Sequence, residues 1–183
     1  MTAFPTLETE RLVLRGWREK DLKAIVEVFS DAQHARYIGG KLSEETCWRM
    51  MAKFIGHQAL RGFSLYAVEE KKSNICIGWA GPWCPKGWPE NEIGYTLVPS
   101  ATGQGYAREA AGRALQHAYN DLGWTTAISL IDSHNEGSKT VARSLGAIHD
   151  GDATVHGEER FDAQVWRHLP PDAFRKRMEG SLH

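Results

Sequence analysis

The alternation and spacing of hydrophobic positions predict both strands and helices in the first half of the chain. Alternation around Leu12 and Leu14 predicts a strand over residues 9–17. Helical spacing follows over residues 22–29, and a second helix is predicted to begin after Ser43, a residue whose hydroxyl can cap it. Residues 64–69 and 74–83 are predicted to form two antiparallel strands joined by a tight turn.

The second half continues the alternation of strands and helices. A strand is predicted from Glu92 toward Pro99, followed by an alanine-rich helix over residues 105–122 and a β-branched, buried strand over residues 125–131. A short helix over residues 138–145, with Gly146 at its carboxyl end, precedes strands over residues 147–156 and 159–168. No repeat, low-complexity tract or linker interrupts this order. We therefore expect one α+β domain over residues 1–183, loosely held after about residue 170.

Composition narrows the classes of function. The 183 residues are 42% hydrophobic and 25% charged, with a net charge of −1, so no bulk charge favours nucleic acid or acidic membranes. No apolar run approaches the roughly 20 residues that span a bilayer, and the amino terminus lacks a signal-peptide core. Cys47, Cys76 and Cys84 show no metal spacing, and the eight histidines contain no His-Glu-x-x-His. We expect a cytoplasmic protein with reduced thiols and no metal.

A glycine-rich loop, Gly103-Gln104-Gly105, separates the strand that begins at Glu92 from the alanine-rich helix. Glycines allow close approach of the backbone to a ligand, and the first turn of a helix offers free N–H groups with a partial positive charge. This combination favours an anion site for a phosphate or pyrophosphate.

Other classes of glycine-rich loop fit less well. A Walker loop would end in Gly-Lys-Ser/Thr, whereas Gly105 is followed by Tyr106 and Ala107. The dinucleotide fingerprint would place a third glycine where Arg108 stands, although Asp132 near the end of the next strand resembles its acidic residue. A purely structural strand–turn–helix remains an alternative.

The segment Thr102-Gly-Gln-Gly-Tyr-Ala107 resembles the Gln/Arg-x-x-Gly-x-Gly/Ala loop of the GNAT acetyltransferases, in particular the branch of ribosomal-protein N-terminal acetyltransferases. Thr102 departs from the family pattern, which has Gln or Arg there. The resemblance continues over residues 7–15, 135–146 and 161–167, in the family's order along nearly the whole chain. It implies the GNAT fold: a three-layer arrangement with a mixed sheet of about seven strands, splayed at a cofactor slot, and about four helices.

The resemblance also implies acetyl-coenzyme A (acetyl-CoA) as the acyl donor and an amine as the acceptor. Backbone contacts to the pantetheine arm are then expected from Leu97 and Val98, and a side-chain contact from Asn135, which is otherwise a helix cap. Backbone N–H groups of the loop and helix start would bind the pyrophosphate, namely those of Gly103, Gln104, Gly105, Tyr106, Ala107 and Arg108.

For catalysis, the family pattern places a general base at Glu92, acting directly or through one water on an amine whose pKa lies near 10. The alternative for Glu92 is a strand-end salt bridge. The Val98 N–H is the expected oxyanion donor. Ala142 occupies the position of the family's acidic tyrosine, so Ser138, one turn earlier, is the candidate proton donor, with Tyr106 as a weaker rival.

The sequence does not define the acceptor, for which a peptide N-terminus and a small-molecule amine both fit. Glu44, Glu45 and Glu90 are candidates to attract a cation. Direct transfer in a ternary complex is favoured over a cysteine intermediate, and a homodimer is a family-level expectation. A non-catalytic acyl-CoA-binding module is the alternative that Ala142 favours, and a nicotinamide oxidoreductase is a third.

Overall fold

The computed structural model describes residues 4–156 and 160–180, and one sheet joins their strands. The strands of this part of the chain are β1 (Leu7–Glu8), β2 (Leu12–Arg15), β3 (Tyr66–Glu70), β4 (Ile75–Trp83), β5 (Glu92–Leu97), β6 (Ile128–Ile131), β7 (Ile148–His156) and β8 (Arg160–Arg167). The helices are α1 (Leu22–Ser30), α2 (Ala32–Ala35), α3 (Glu44–Arg61), α4 (Tyr106–Asn120), α5 (Glu136–Ser144) and α6 (Pro171–Gly180).

The strands lie in the order β1-β2-β3-β4-β5-β6-β8-β7. All neighbouring pairs are antiparallel except β5 and β6, which run parallel in the middle of the sheet. A parallel pair requires a crossover, and α4 supplies it. This crossover brings the amino terminus of α4 to the end of β5.

The helices cover both faces of the sheet. Trp79 of β4 stacks on Phe29 of α1 and contacts Phe54 of α3. Tyr66, which pairs with Ala80, instead contacts His117 of α4. Because neighbouring side chains of a strand point to opposite faces, α1 and α3 cover one face and α4 covers the other. The central sheet is therefore buried on both sides, as in a three-layer fold.

A buried ion network joins β2 and β3 to the start of α1. The Arg15 guanidinium donates to Asp21 at 2.7 and 3.0 Å and to Glu69 at 2.6 and 3.0 Å, and all three side chains are nearly inaccessible. These two carboxylates raise the pKa of Arg15 above its ordinary value, with the Asp21 hydrogen bond as the largest cause. The charges therefore stay paired away from water.

The structure follows the predicted order of elements, with three differences. Eight strands are present in the described residues instead of about seven, because Leu7–Glu8 pairs separately with β2. The short helix α2 was not predicted; the Asp31 side chain caps it. The expectation of a loosely held tail differs from the structure, because α6 packs the buried Phe174 edge-on against Tyr119. The prediction on residues 157–159 lies outside the described residues.

Candidate active site

The parallel strands β5 and β6 separate almost as soon as they meet. Their register contains one pair, Glu92 with Ile128, and the Ile128 N–H donates to the Asn91 carbonyl at 2.9 Å. Beyond that pair, side chains replace the backbone ladder. Glu92 Oε1 accepts from the Leu130 N–H at 3.2 Å, and the Ser129 hydroxyl donates to the Ile93 carbonyl at 2.7 Å. The sheet is thus splayed from this point, as expected from the family resemblance.

A cavity of about 840 Å³ opens from the gap between β5 and α5. Its walls are the end of β5, the glycine loop, the first turn of α4, one side of α5, and α2 with the residues that follow it. Several of the predicted site residues line it, among them Leu97, Gly103, Gly105, Asn135 and Ser138. Tyr95, which was not predicted, lines it as well. The structure therefore brings together segments that lie up to about a hundred residues apart in the sequence.

The glycine loop has the backbone conformation that its glycines allow. Gly103 and Gly105 have φ values of +75° and +80°, and Gly105 is the N-cap of the 15-residue helix α4. No atom lies within 4 Å of a Cβ placed on Gly103, so the loop presents open space there. The exposed Arg108 side chain lines the same cavity. Free N–H groups, the helix dipole and an arginine fit the pyrophosphate of a coenzyme.

A set of side chains from distant elements supports this loop from behind. Arg11 donates to the Gln104 carbonyl at 3.0 Å, stacks over the Tyr106 ring at 4.4 Å and forms an ion pair with Glu109 at 2.6 Å. The Tyr106 hydroxyl donates to Glu70 at 2.6 Å, which commits it to a structural contact and disfavours it as a proton donor. The Arg11 support was not predicted, although Arg11 belongs to the 7–15 segment that carries the resemblance.

The structure differs from the prediction for Val98. Its N–H already donates to the Ile77 carbonyl at 2.9 Å, and its side chain is buried outside the cavity wall. Because hydrogen-bonding directions alternate along a strand, Leu97 and Tyr95 turn their backbone groups toward the open side instead. The Leu97 carbonyl there lies 2.8 Å from Nε2 of His34 on α2. Leu97 and Tyr95 therefore present their backbone groups to the gap, whereas the Val98 N–H does not.

Asn135 and Ser138 meet at the start of α5. The Asn135 side-chain oxygen accepts from the Ser138 N–H at 3.1 Å, so the residue caps the helix. Within residues 4–156 and 160–180, neither the Asn135 amide nitrogen nor the Ser138 hydroxyl has a hydrogen bond, and both residues line the cavity. The cap role and a ligand role for Asn135 are therefore compatible.

Glu92 lies at the root of the gap and not in the cavity wall. Its carboxylate is buried, with Oε2 accepting from Trp88 Nε1 at 2.6 Å and Oε1 from the Leu130 N–H. Burial raises the pKa of Glu92 to about 7, since neither hydrogen bond offsets the loss of hydration. The salt-bridge alternative does not apply, because both partners are uncharged. By contrast, Glu90 pairs with Arg167 at 2.8 Å, which lowers the pKa of Glu90.

Tyr95 spans the open gap. Its hydroxyl donates to the Ser138 carbonyl at 2.8 Å, from β5 to the first turn of α5. Burial raises the pKa of Tyr95 above its ordinary value, so the phenol keeps its proton. Tyr95 belongs to the Glu-x-Gly-Tyr pattern around Glu92, and that pattern was the available signal for it. Ala142, where the family has its tyrosine, is fully buried.

The described residues lack two kinds of feature. They contain no group of three or more His, Cys, Asp or Glu side chains that could hold a metal ion. They also contain no helix long and apolar enough to cross a membrane.

A sheet that separates beside a glycine-bounded helix start has the geometry of a site that could hold a phosphate-bearing ligand. The model of the acetyltransferase (GNAT) domain matches residues 11–148, more than half of the chain. The chain belongs to the GNAT acetyltransferase family. It is therefore an acetyltransferase, of a family whose acyl donor is acetyl-CoA.

Individual relatives agree with this assignment. The uncharacterized N-acetyltransferase YoaA of Bacillus subtilis is 28% identical over 152 residues, which cover 81% of this chain and 85% of that protein. An acetyltransferase from Agrobacterium tumefaciens has a TM-score of 0.81 at 27% identity, covering 92% of this chain and 96% of its own. A ribosomal-protein-S5-alanine acetyltransferase from Vibrio fischeri shares the fold, with a TM-score of 0.70 at 18% identity over 92% and 98% of the two chains.

Proposed function

We propose that this protein transfers an acetyl group from acetyl-CoA directly to a primary amine in a ternary complex. The observation that carries the proposal is the cavity of about 840 Å³, which joins the glycine loop to the open edge of β5. An anion site and a strand edge without a neighbouring strand lie in one cavity, and together they suit a ligand with a pyrophosphate and an amide-bearing arm. When bound, the thioester supplies the activated acetyl group.

The chain's own groups suit this ligand. Backbone N–H groups from Gly103 to Arg108 would hold the pyrophosphate, with the Arg108 guanidinium adding a charge. The outward backbone groups of Leu97 and Tyr95, and the unpaired amide of Asn135, would bind the arm. These assignments rest on the left-handed glycines, on strand alternation and on the free Asn135 nitrogen.

Glu92 would remove the amine proton. A pKa of about 7 makes its carboxylate a base that is well matched to neutral pH. Because Glu92 does not line the cavity, the proton would reach it through a bridging water. Trp88 and the Leu130 N–H hold the carboxylate in place at the point where the strands part.

Ser138 would donate a hydrogen bond or proton to the leaving thiolate. Its hydroxyl has no hydrogen bond within the described residues and lies in the first turn of α5, where the helix dipole favours a negative charge. Ala142, one turn further along, has no polar atom to offer.

A covalent cysteine intermediate is disfavoured by the three thiols. Cys47 is fully buried, and burial raises the pKa of Cys76 to about 11, so neither is a ready thiolate. Cys84 does not line the cavity. All three are free cysteines, which supports the expected cytoplasmic location.

We further propose that the acceptor is a peptide N-terminus, as in the branch that the sequence resembles. The fold shared with the Vibrio fischeri enzyme supports this choice, and a small-molecule amine is the alternative. Glu90, a candidate to attract the amine, is paired with Arg167 and is therefore not a free anionic contact for the acceptor.

The test is a thiol-release assay with acetyl-CoA and a panel of peptide N-termini, polyamines and amino acids. We expect sequential kinetics with at least one peptide, and turnover retained when all three cysteines are replaced. Glu92→Gln should lower kcat about 10²–10⁴-fold at unchanged affinity for acetyl-CoA, as for removal of a general base. Parallel double-reciprocal lines, or loss of turnover with the cysteines, would contradict direct transfer.

A further inference from the structure

Among the described residues, the Tyr95 hydroxyl makes the side-chain hydrogen bond that joins β5 to α5. The hydroxyl donates at 2.8 Å to the carbonyl of Ser138, which lies 43 positions later in the sequence and on the far side of the splayed gap. No backbone ladder connects these elements, because β5 pairs with β6 only at Glu92. This contact therefore replaces the missing strand pairing at the level of the cavity.

Tyr95 acts on the backbone of the residue whose side chain the proposed reaction uses. The Ser138 N–H is held by the Asn135 side chain and the Ser138 carbonyl by Tyr95, while the Ser138 hydroxyl has no partner within the described chain. A carbonyl oxygen has two lone pairs, so the phenol adds to the helical hydrogen bond without replacing it. With both backbone groups fixed, the Cα–Cβ bond of Ser138 is held in place at the cavity wall, and only rotation about χ1 is left to the hydroxyl.

We propose that Tyr95 is a positioning residue that fixes the first turn of α5 so that the Ser138 hydroxyl faces the reacting thioester. The proposal rests on the proposed function, since it assigns a purpose to Ser138. Tyr95→Phe keeps the ring in the cavity wall and removes only the hydroxyl. The chain offers a matched control in Tyr119, whose hydroxyl donates to the Leu169 carbonyl at 2.6 Å, outside the cavity.

The experiment compares the kinetics of Tyr95→Phe, Ser138→Ala and the double variant, with Tyr119→Phe as control. Loss of one hydrogen bond in the transition state corresponds to about a tenfold fall in kcat. We expect that fall for each single variant and no further fall for the double variant, because both changes disable the same group. The KM and Kd for acetyl-CoA should stay within about twofold, and Tyr119→Phe should leave kcat unchanged.

A second measurement does not depend on activity. Hydrogen exchange of the amides in the first two turns of α5 should accelerate in Tyr95→Phe and stay at the wild-type rate in Tyr119→Phe. Additive losses in the double variant, a wild-type kcat in Tyr95→Phe, or unchanged exchange in α5 would each overturn the positioning role. A wild-type protein that transfers no acetyl group would refute the proposed function instead, and the exchange rates would still decide the role of Tyr95.

Discussion

Replacing Glu92 by glutamine should change how the stability of the protein depends on pH. The carboxylate is buried at the root of the gap, and its pKa rises from 4.5 to about 7 on folding. The unfolded chain therefore releases this proton near pH 4.5 and the folded protein near pH 7. Between these values the folded state binds more protons, so stability falls as pH rises.

The magnitude follows from the size of the pKa shift. A rise from 4.5 to about 7 is worth about 3 kcal/mol, at about 1.4 kcal/mol for each unit. Wild-type protein should thus lose about 3 kcal/mol between pH 4.5 and pH 8 through this group alone. Glutamine does not titrate, so the variant lacks that loss. It also places an amide beside the Trp88 N–H, at a cost that does not vary with pH.

The assay is urea denaturation of both proteins at several pH values, with the difference in free energy of unfolding plotted against pH. We expect the variant to gain about 3 kcal/mol on wild type from pH 4.5 to pH 8. Glu90→Gln is the matched control, because Arg167 lowers the pKa of Glu90 and its contribution is lost on acidification. A constant difference for Glu92→Gln would refute the reasoning about the buried carboxylate.

Three further substitutions test other parts of the structure. Gly105→Glu should abolish binding of acetyl-CoA in calorimetry, because the side chain adds bulk and negative charge at the anion site. The control Gly123→Glu, also at positive φ (+71°), should leave that binding intact. Equal affinities of the two variants for acetyl-CoA would mean that the anion site is misplaced. Arg15→Met should lower the free energy of unfolding by about 3–5 kcal/mol, since it leaves the buried Asp21 without a charged partner and Glu69 with only the half-exposed Arg18 at 3.3 Å. Arg49→Met, at an exposed pair, should cost under about 0.5 kcal/mol, and equal losses would contradict the buried network. Phe174→Ala should lower the free energy of unfolding by about 3–5 kcal/mol, because it leaves a cavity beside Tyr119 of α4. A decrease under about 1 kcal/mol would mean that α6 is not packed against the domain.

Local chemistry explains which parts of the site were predictable. Gly103 and Gly105 were identified because a turn between a strand and a helix often requires positive φ, which glycine adopts most readily. Both residues have positive φ in the structure. Ser43 and Asn135 were predicted as helix caps for the same reason, and both side chains accept a backbone N–H.

The features that were missed depend on pairing between distant segments. Which of Leu97 and Val98 faces the gap follows from the register of β5 on β4, which the spacing of apolar residues does not fix. The contact of Arg11 with the Gln104 carbonyl joins residues 93 positions apart. The tail was expected to be loosely held after about residue 170, yet Phe174 is buried against Tyr119 and Arg177 donates to the Ser144 carbonyl, both in distant segments.

The most direct test of the account is calorimetric titration of acetyl-CoA into the wild-type protein, with a nicotinamide dinucleotide as the control ligand. We predict one site for acetyl-CoA with micromolar affinity and no binding of the dinucleotide. The titration is repeated at a second temperature to detect binding whose enthalpy is near zero at the first. Absence of heat with acetyl-CoA at both temperatures, or binding of the dinucleotide alone, would contradict the assignment of the cavity.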